Sequence, residues 1–322
     1  MNIYIKTFNR PFYLDRCLAS LKQHALNRGE IRVMDDGTLD RYRRRLAERH
    51  PDVVFLRSNA DDEKFALLKQ QRFDEIRQRY DDPAAFWVRV ARAEPDDYLM
   101  VMEDDTWLVE AIDLAHVGSV LKRSNAALLR LHWHMLTTGR ERVYYQEPLA
   151  PDLTIDFFMP DFRVNPETKA VNIYDLFMIW QSSMAVYRRD FYIHCQDKVD
   201  HYMNENWQVK RAAEWMMSFP KDSRPRFAKT SRAVVHQGWI VPARSEPSYY
   251  QVGLIQHLYM ECLNEAWYDG RLDPAASLPL DFSEDYIVGL LRRDLDDAAV
   301  QQWRKWRDDY VKQQAFPYAW FH

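Results

Sequence analysis

Residues 98–105 read Tyr98-Leu99-Met100-Val101-Met102-Glu103-Asp104-Asp105. Five residues without a charge or an alternating pattern suit a strand buried on both faces, as in a parallel sheet. Three acids follow it directly. The same order of events occurs twice upstream. Asn2–Phe8 is β-rich and runs into Asn9-Arg10, and Glu30–Met34 stops at Asp35-Asp36-Gly37. Helical signals lie between these runs. After Pro11, residues Leu14, Cys17, Leu18, Leu21 and Ala25 fall on one face of a predicted helix, with Gly29 as its expected C-cap. Leu39–His50 reads as a basic surface helix, Val53–Leu56 as a third strand and Asp61–Tyr80 as one long helix. Strands alternating with helices predict an α/β fold, Rossmann-like, with a mostly parallel central sheet flanked by helices. Ligands of such sheets bind outside the carboxyl ends of the strands. Thr7-Phe8-Asn9-Arg10, Asp35-Asp36-Gly37 and Glu103-Asp104-Asp105 are therefore expected to face one crevice.

The pattern loosens further on. Ala126–Trp133 reads as a strand. Residues 134–170, with Pro148, Pro151, Pro160 and Pro166, read as long loops with short strands. Val171–Tyr187 is apolar and β-rich, and Val209–Phe219 is helical. Arg232–Val241 reads as a strand broken at His236-Gln237-Gly238. The last 75 residues read as mostly helical, with Val300, Trp303, Trp306 and Tyr310 on one side of the final helix. No repeat and no separating linker is visible. The expected organisation is a domain over 1–245 with a helical extension, 246–322, packed on it.

Composition narrows the function. The chain of 322 residues carries 11 Trp, 18 Tyr and 16 Phe against 8 Gly. Average glycine usage is about 7%, so a glycine-rich phosphate loop is excluded. Hydrophobic content of 47% supports a packed core. A net charge of −4 argues against nucleic acid as partner. Cys17, Cys195 and Cys262 form no metal or disulfide spacing, which points to a reduced compartment. No stretch of ~18 apolar residues exists, so no transmembrane segment is expected and a cytoplasmic location is.

Each polar cluster has a plain reading and a chemical one. Three adjacent acids after a buried strand repel one another unless a cation relieves them, and Mg²⁺ or Mn²⁺ would do so through oxygen ligands. The plain alternative is a solvated loop with Asp105 as a helix cap. Asp35-Asp36-Gly37-Thr38 is a tight turn by its residue types, or a carboxylate that accepts from a base N–H or a ribose hydroxyl. His236 is a satisfied core histidine or a neutral imidazole ligand. Glu214 is a helix-surface acid paired with Lys210 or a buried base. The tail Phe316-Pro317-Tyr318-Ala319-Trp320-Phe321-His322 docks on its own domain, on a second subunit in a homodimer, or on a lipid-linked acceptor at the inner membrane surface.

The N-terminal motifs, taken together, resemble a known family. Thr7-Phe8-Asn9-Arg10-Pro11, then Tyr13-Leu14 and Cys17-Leu18-Ala19-Ser20-Leu21, is similar to the T-Y-N-R-P, Y-L and C-L-x-S-L opening of family-2 glycosyltransferases. Val33-Met34-Asp35-Asp36-Gly37-Thr38 matches their V-D-D-G-S/T with Met34 inserted, and the later acids stand where the family has D-x-D. The likeness is close over residues 1–40 and holds in motif order to about residue 110. It implies a GT-A fold, a nucleotide-sugar donor (UDP-linked), a divalent ion, Mn²⁺ or Mg²⁺, and transfer with inversion to a glycan, lipid-linked or protein hydroxyl. Thr7, Asn9 and Arg10 would lie by the nucleoside, and Asp35 or Asp36 would contact base or ribose. The motif here is Glu-Asp-Asp, a form some GT-A enzymes share, in which the last acid holds the metal. That assigns Asp105 as ligand, Asp104 to the ribose or metal waters, and Glu103 to the same acidic set. His236-Gln237-Gly238 resembles a late H-x-G segment that reaches the diphosphate or metal. The family's base follows a segment like Gln181–Arg189, but its E-D pair is absent here, which leaves Glu214 and Asp175 as candidates. Two other readings remain: a sugar-phosphate nucleotidyltransferase, which the missing glycine loop disfavours, and a catalytically silent GT-A glycan-binding domain.

Overall fold

A computed structural model of the chain describes residues 1–131, 141–160, 162–163, 165–168, 171–199, 206–241 and 254–313. Nine strands form the central sheet. In chain order they are β1 (Ile3–Thr7), β2 (Ile31–Asp35), β3 (Val54–Arg57), β4 (Tyr98–Glu103), β5 (Ala126–Arg130), β6 (Glu141–Ala150), β7 (Leu153–Pro160), β8 (Ala185–Arg188) and β9 (Arg226–Thr230). Their order across the sheet is β3-β2-β1-β4-β8-β5-β9-β7-β6. The pairs β3/β2, β2/β1, β1/β4 and β5/β9 are parallel, and only β7 and β8 run against the other strands. The sheet is thus mostly parallel, as the alternation of strands and helices predicts.

Register aligns the three motifs. Thr7 lies opposite Asp35 and Lys6 opposite Glu103. Just beyond, the Asp36 N–H donates to the Thr7 carbonyl at 3.1 Å and the Asp104 N–H to that of Lys6 at 3.0 Å. Residues alternate between faces along a strand. Ile3 and Ile5 face one core, and Tyr4 faces the other with Leu99 and Val101.

Several elements differ from the sequence reading, each for a local reason. The first helix, α1 (Pro11–His24), starts with Pro11, whose fixed φ suits a first turn. It ends before Gly29, because Ala25–Leu26 pairs in parallel with Ile112–Asp113. Gly29 serves close approach instead: a Cβ there would lie 2.3 Å from Asn2 Oδ1. The helix expected over 61–80 is two, Asp62–Lys69 and Phe73–Arg79, separated at Gln71 with φ 57°. A further helix, Pro83–Arg92, was missed, although Asp82 caps it and Pro83 opens it. The described part of 134–170 holds a long hairpin, β6 and β7, rather than loops. Pro148 fits because β6 is an edge strand and needs no donor on its open side. Of Val171–Tyr187, Ile173–Met178 is a 3₁₀ turn and only the last residues enter β8. Of Arg232–Val241, only Val235–Gln237 is a strand, paired with Thr106–Leu108 in a small ribbon.

Three helices follow, Leu254–Tyr268, Glu284–Leu291 and Asp297–Gln313. Their Tyr259, Leu263, Trp267, Ile287, Leu291, Val300 and Trp303 belong to the same core as Ile3, Phe12 and Val33. The expected boundary at 245 and the aromatic tail lie outside the described residues. Polar contacts tie the extension to α1. The Asp15 carboxylate accepts from His50 Nε2 at 2.7 Å and Trp267 Nε1 at 2.8 Å. Arg16 donates to the carbonyls of Pro274, Ala276 and Leu280, with its guanidinium 4.2 Å from the centre of the Trp107 ring. No helix among the described residues is long and apolar enough to cross a membrane.

Asp281 is the acid of this junction. Its carboxylate accepts from Tyr13 Oη at 3.1 Å, Trp239 N at 2.7 Å and Phe282 N at 2.8 Å. Burial pushes its pKa up to about 6, against those hydrogen bonds and the nearby Arg16. An unfolded aspartate titrates near ~3.9. The folded state therefore binds this proton more tightly, so the contribution of Asp281 to stability is fully present below pH ~4 and is lost as pH rises through ~6. Discounted for the residue's partial exposure, this amounts to about 1–2 kcal/mol. Urea unfolding of wild type and Asp281→Asn across that interval should show the variant with the shallower decline.

Candidate active site at the strand ends

Arg10 is the centre of the crevice. It follows β1 at the start of α1, and it is almost wholly buried. Its Nη1 donates to Asp105 Oδ2 at 2.9 Å and to the Val241 carbonyl at 3.0 Å, and its Nη2 donates to Asp104 Oδ1. Thr7 Oγ1 donates to the other Asp104 oxygen at 2.7 Å. Burial raises the Asp104 carboxyl to about 6, Asp105 adds to the rise, and Arg10 and Thr7 oppose it. For Arg10 burial acts downwards, but the two carboxylates outweigh it and the group stays charged. Asp105 Oδ1 is buried and has no partner among the described residues.

The second motif divides its two acids between tasks. Asp35 Oδ1 accepts from the N–H groups of Gly37 at 3.1 Å and Thr38 at 2.8 Å, closing the tight turn. Gly37 has φ 135°, which glycine adopts without strain. Asp35 Oδ2 is buried without a partner among the described residues. Asp36 is occupied: Lys64, fully buried, donates to it at 2.6 Å and Ser58 Oγ at 2.8 Å. Burial raises both carboxyls above the usual range. Asp35 is thus the acid with an open acceptor. Asn9, at φ 48°, joins the two loops, since its N–H donates to Thr38 Oγ1 and its Oδ1 accepts from Leu39 N.

Glu103 and His236 do not join Asp105 in one donor set. No group of three or more His, Cys, Asp or Glu among the described residues is placed to hold a metal. Glu103 lies beside Lys6 in register, and strand alternation puts it on the Tyr4 and Val101 face. There it adds to the burial that raises the Tyr192 phenol. His236 lies in the ribbon opposite Trp107, and Gly238 N donates to the Asp105 carbonyl at 2.7 Å. The imidazole Nδ1 is 3.2 Å from the Pro279 carbonyl. A carbonyl only accepts, so Nδ1 carries the hydrogen and Nε2 the lone pair. Burial lowers its pKa, which favours that neutral form.

The two candidate bases lie apart from this cluster in character. Asp175 is fully buried, and Arg163 holds its carboxylate through Nη2 at 2.7 Å and Nε at 3.1 Å. That ion pair occupies both of its carboxylate oxygens. Glu214 is exposed on the helix Asn206–Met217. Sequence reading missed the part played by Arg10. Its place in the motif was legible, but its pairing with both later acids depends on the β1/β4 register.

The site is therefore a cluster of buried carboxylates at the ends of parallel strands in an α/β fold, two of them with an oxygen that has no partner among the described residues. No protein-family model matches the chain, and no curated protein matches it. Among solved structures it is similar to S. aureus TarS 1-349, at 11% identity and a TM-score of 0.44, over 98% of this chain and 92% of that one. The same TarS fragment in complex with UDP-GlcNAc is 10% identical at a TM-score of 0.44, over 97% and 80%. The bifunctional glycosyltransferase WbbM is 11% identical at a TM-score of 0.37, over 66% of this chain and 37% of its own.

Arg10→Gln leaves two buried carboxylates without their cation, which raises the proton affinity of Asp104 further. The expected loss is about 3–5 kcal/mol at pH 8 and less near pH 4, below the raised pKa of Asp104. Urea unfolding at the two pH values measures it, and adding Asp104→Asn should recover part of the loss at pH 8.

Proposed function

We propose that the chain is a glycosyltransferase that uses a nucleotide-sugar donor, UDP-linked, and a divalent ion, and that transfers with inversion to a hydroxyl acceptor. The observation that carries this reading is the convergence of Thr7, Arg10, Asp35, Asp104 and Asp105 at one sheet edge, in the motif order of family-2 glycosyltransferases. Asp35 Oδ2 would accept from the nucleoside. Asp104, fixed by Thr7 and Arg10, would present its edge to the ribose.

The metal fits in one form only. Mg²⁺ is commonly held by one or two carboxylates, with phosphate and water completing its shell. Asp105 Oδ1 would supply one such oxygen, while His236, paired across the ribbon with Trp107, shares no donor set with it. When bound, the ion stabilises charge on the departing diphosphate. Arg10 offsets the remaining acid charge, so the site is not overwhelmingly negative towards a diphosphate. For the base, Arg163 occupies Asp175, and Glu214 is the remaining candidate. The acceptor class is a glycan, lipid-linked or protein hydroxyl. A silent GT-A domain that only binds a glycan is favoured by one observation, the neutralisation of both acids by Arg10. Slow donor hydrolysis without acceptor separates the two.

UDP binding should require Mg²⁺ or Mn²⁺, because diphosphate and the acids repel without a cation. Calorimetry should show Asp105→Ala weakening UDP binding by about 30-fold or more, and excess chelator doing the same to wild type. Unchanged affinity in both cases would remove the ion from the reading. Glu214→Gln should leave UDP affinity near wild type and lower transfer by roughly 10²–10⁴. Full transfer activity in that variant would exclude it as the base.

A further inference from the structure

Residues Trp239-Ile240-Val241 are buried, yet they belong to no strand or helix. Side chains hold four of their main-chain groups. The Trp239 N–H donates to Asp281 Oδ2 at 2.7 Å, and the Ile240 N–H donates to Tyr13 Oη at 3.0 Å. The Ile240 carbonyl accepts from Trp303 Nε1 at 3.2 Å, and the Val241 carbonyl accepts from Arg10 Nη1 at 3.0 Å. Tyr13 and Arg10 come from the start of the first helix. Asp281 and Trp303 come from the C-terminal extension. Buried main-chain groups must find partners, and here the partners are drawn from both ends of the chain.

The contact with Arg10 sets the orientation of its guanidinium. Arg10 Nε has no partner among the described residues. The plane of the group is fixed by Asp104, Asp105 and the Val241 carbonyl alone, and the last two share Nη1. A shift of residue 241 would move the hydrogens aimed at Asp105. Tyr13 closes the arrangement from the other side: its hydroxyl donates to Asp281 while accepting from Ile240, and its ring lies under the Arg10 guanidinium at 5.7 Å. Gly238 permits this, since a Cβ there would meet the Tyr13 ring at 2.4–2.5 Å.

We propose that residues 239–241 are a brace through which the C-terminal helices position Arg10, and that Asp281 and Trp303 are positioning residues for the acid pair. The inference rests on the reading of the strand-end crevice as a nucleotide site. It adds two residues, 271 and 293 positions beyond Arg10 in the chain, to the determinants of that site.

The test is a double-mutant cycle on UDP binding with Mg²⁺, by calorimetry at a temperature where melting curves show each variant folded. Trp303→Phe keeps an aromatic ring in the core and removes the N–H together with part of the indole's volume, a packing loss common to both backgrounds of the cycle. Asp281→Asn removes one carboxylate oxygen. Each should weaken UDP binding by about 3–10-fold, the worth of one hydrogen bond. In an Arg10→Lys background, which keeps the charge but not the fork, each effect should shrink to less than twofold. Equal losses in both backgrounds, or none in either, would overturn the brace while leaving the nucleotide site intact. If wild type binds no UDP, the nucleotide reading fails. The brace is then decided by urea unfolding of the same cycle, where non-additive losses support it and additive ones overturn it. Should Asp281→Asn fail to fold, Trp303→Phe carries the cycle alone.

Discussion

Two carboxylates and a guanidinium lie out of water at the ends of β1 and β4, and the crevice takes its form from them. Removing the guanidinium leaves both carboxylates uncompensated in a poor solvent, which is costlier than the pairing is favourable. Arg10 reaches both acids because parallel pairing sets β1 and β4 level and Asp104 emerges one residue past the register of Lys6. Thr7 then satisfies the remaining oxygen of Asp104, so among the described residues the oxygen of the pair left without a partner is Asp105 Oδ1. The neighbouring loop repeats the logic with Asp36 and Lys64, and again one oxygen, on Asp35, stays open. Each loop carries a buried ion pair, and each leaves one buried carboxylate oxygen without a partner among the described residues.

The N-terminal half was legible in the sequence because its signals are local. A strand buried on both faces needs an apolar run, and Tyr98–Met102 supplies it. A helix packed on a sheet needs an apolar stripe, and Leu14, Cys17, Leu18 and Leu21 supply that. The order of strand, polar turn and helix gave the edge on which the motifs meet. What stayed hidden depends on long-range partners. Glu103 and Asp105 look alike within a triplet, but Glu103 still belongs to β4 whereas Asp105 lies past its end in the turn, where Arg10 reaches it. Asp175 looks like a free acid until Arg163 folds onto it. The hairpin of β6 and β7 was obscured by prolines that an edge strand tolerates.

The C-terminal helices are the less legible half. Their sequence reads as an amphipathic appendage, and Trp303 lies on the stripe that periodicity picks out. Periodicity says that such a residue is buried and does not say against what. In the fold it shares a core with Ile3 and Val33, and its indole N–H completes the hydrogen bonding of Ile240. Arg16 caps three carbonyls of the connecting segment from within α1, a task that its place on an otherwise apolar helix does not announce.

The shared core has a consequence for synthesis. Domains commonly fold as units while the chain emerges from the ribosome, the first part leading. Here β1, β2 and α1 are made first, but the residues that cover their outer face are made last. Until the helix that bears Trp303 has left the exit tunnel, Phe12, Leu18 and Val33 have an incomplete cover, and the nascent sheet presents that face to whatever is nearby. A chain cut short of the helix Asp297–Gln313 would lack Val300 and Trp303, and the core that they share with Phe12, Leu18 and Val33 would lose part of its cover.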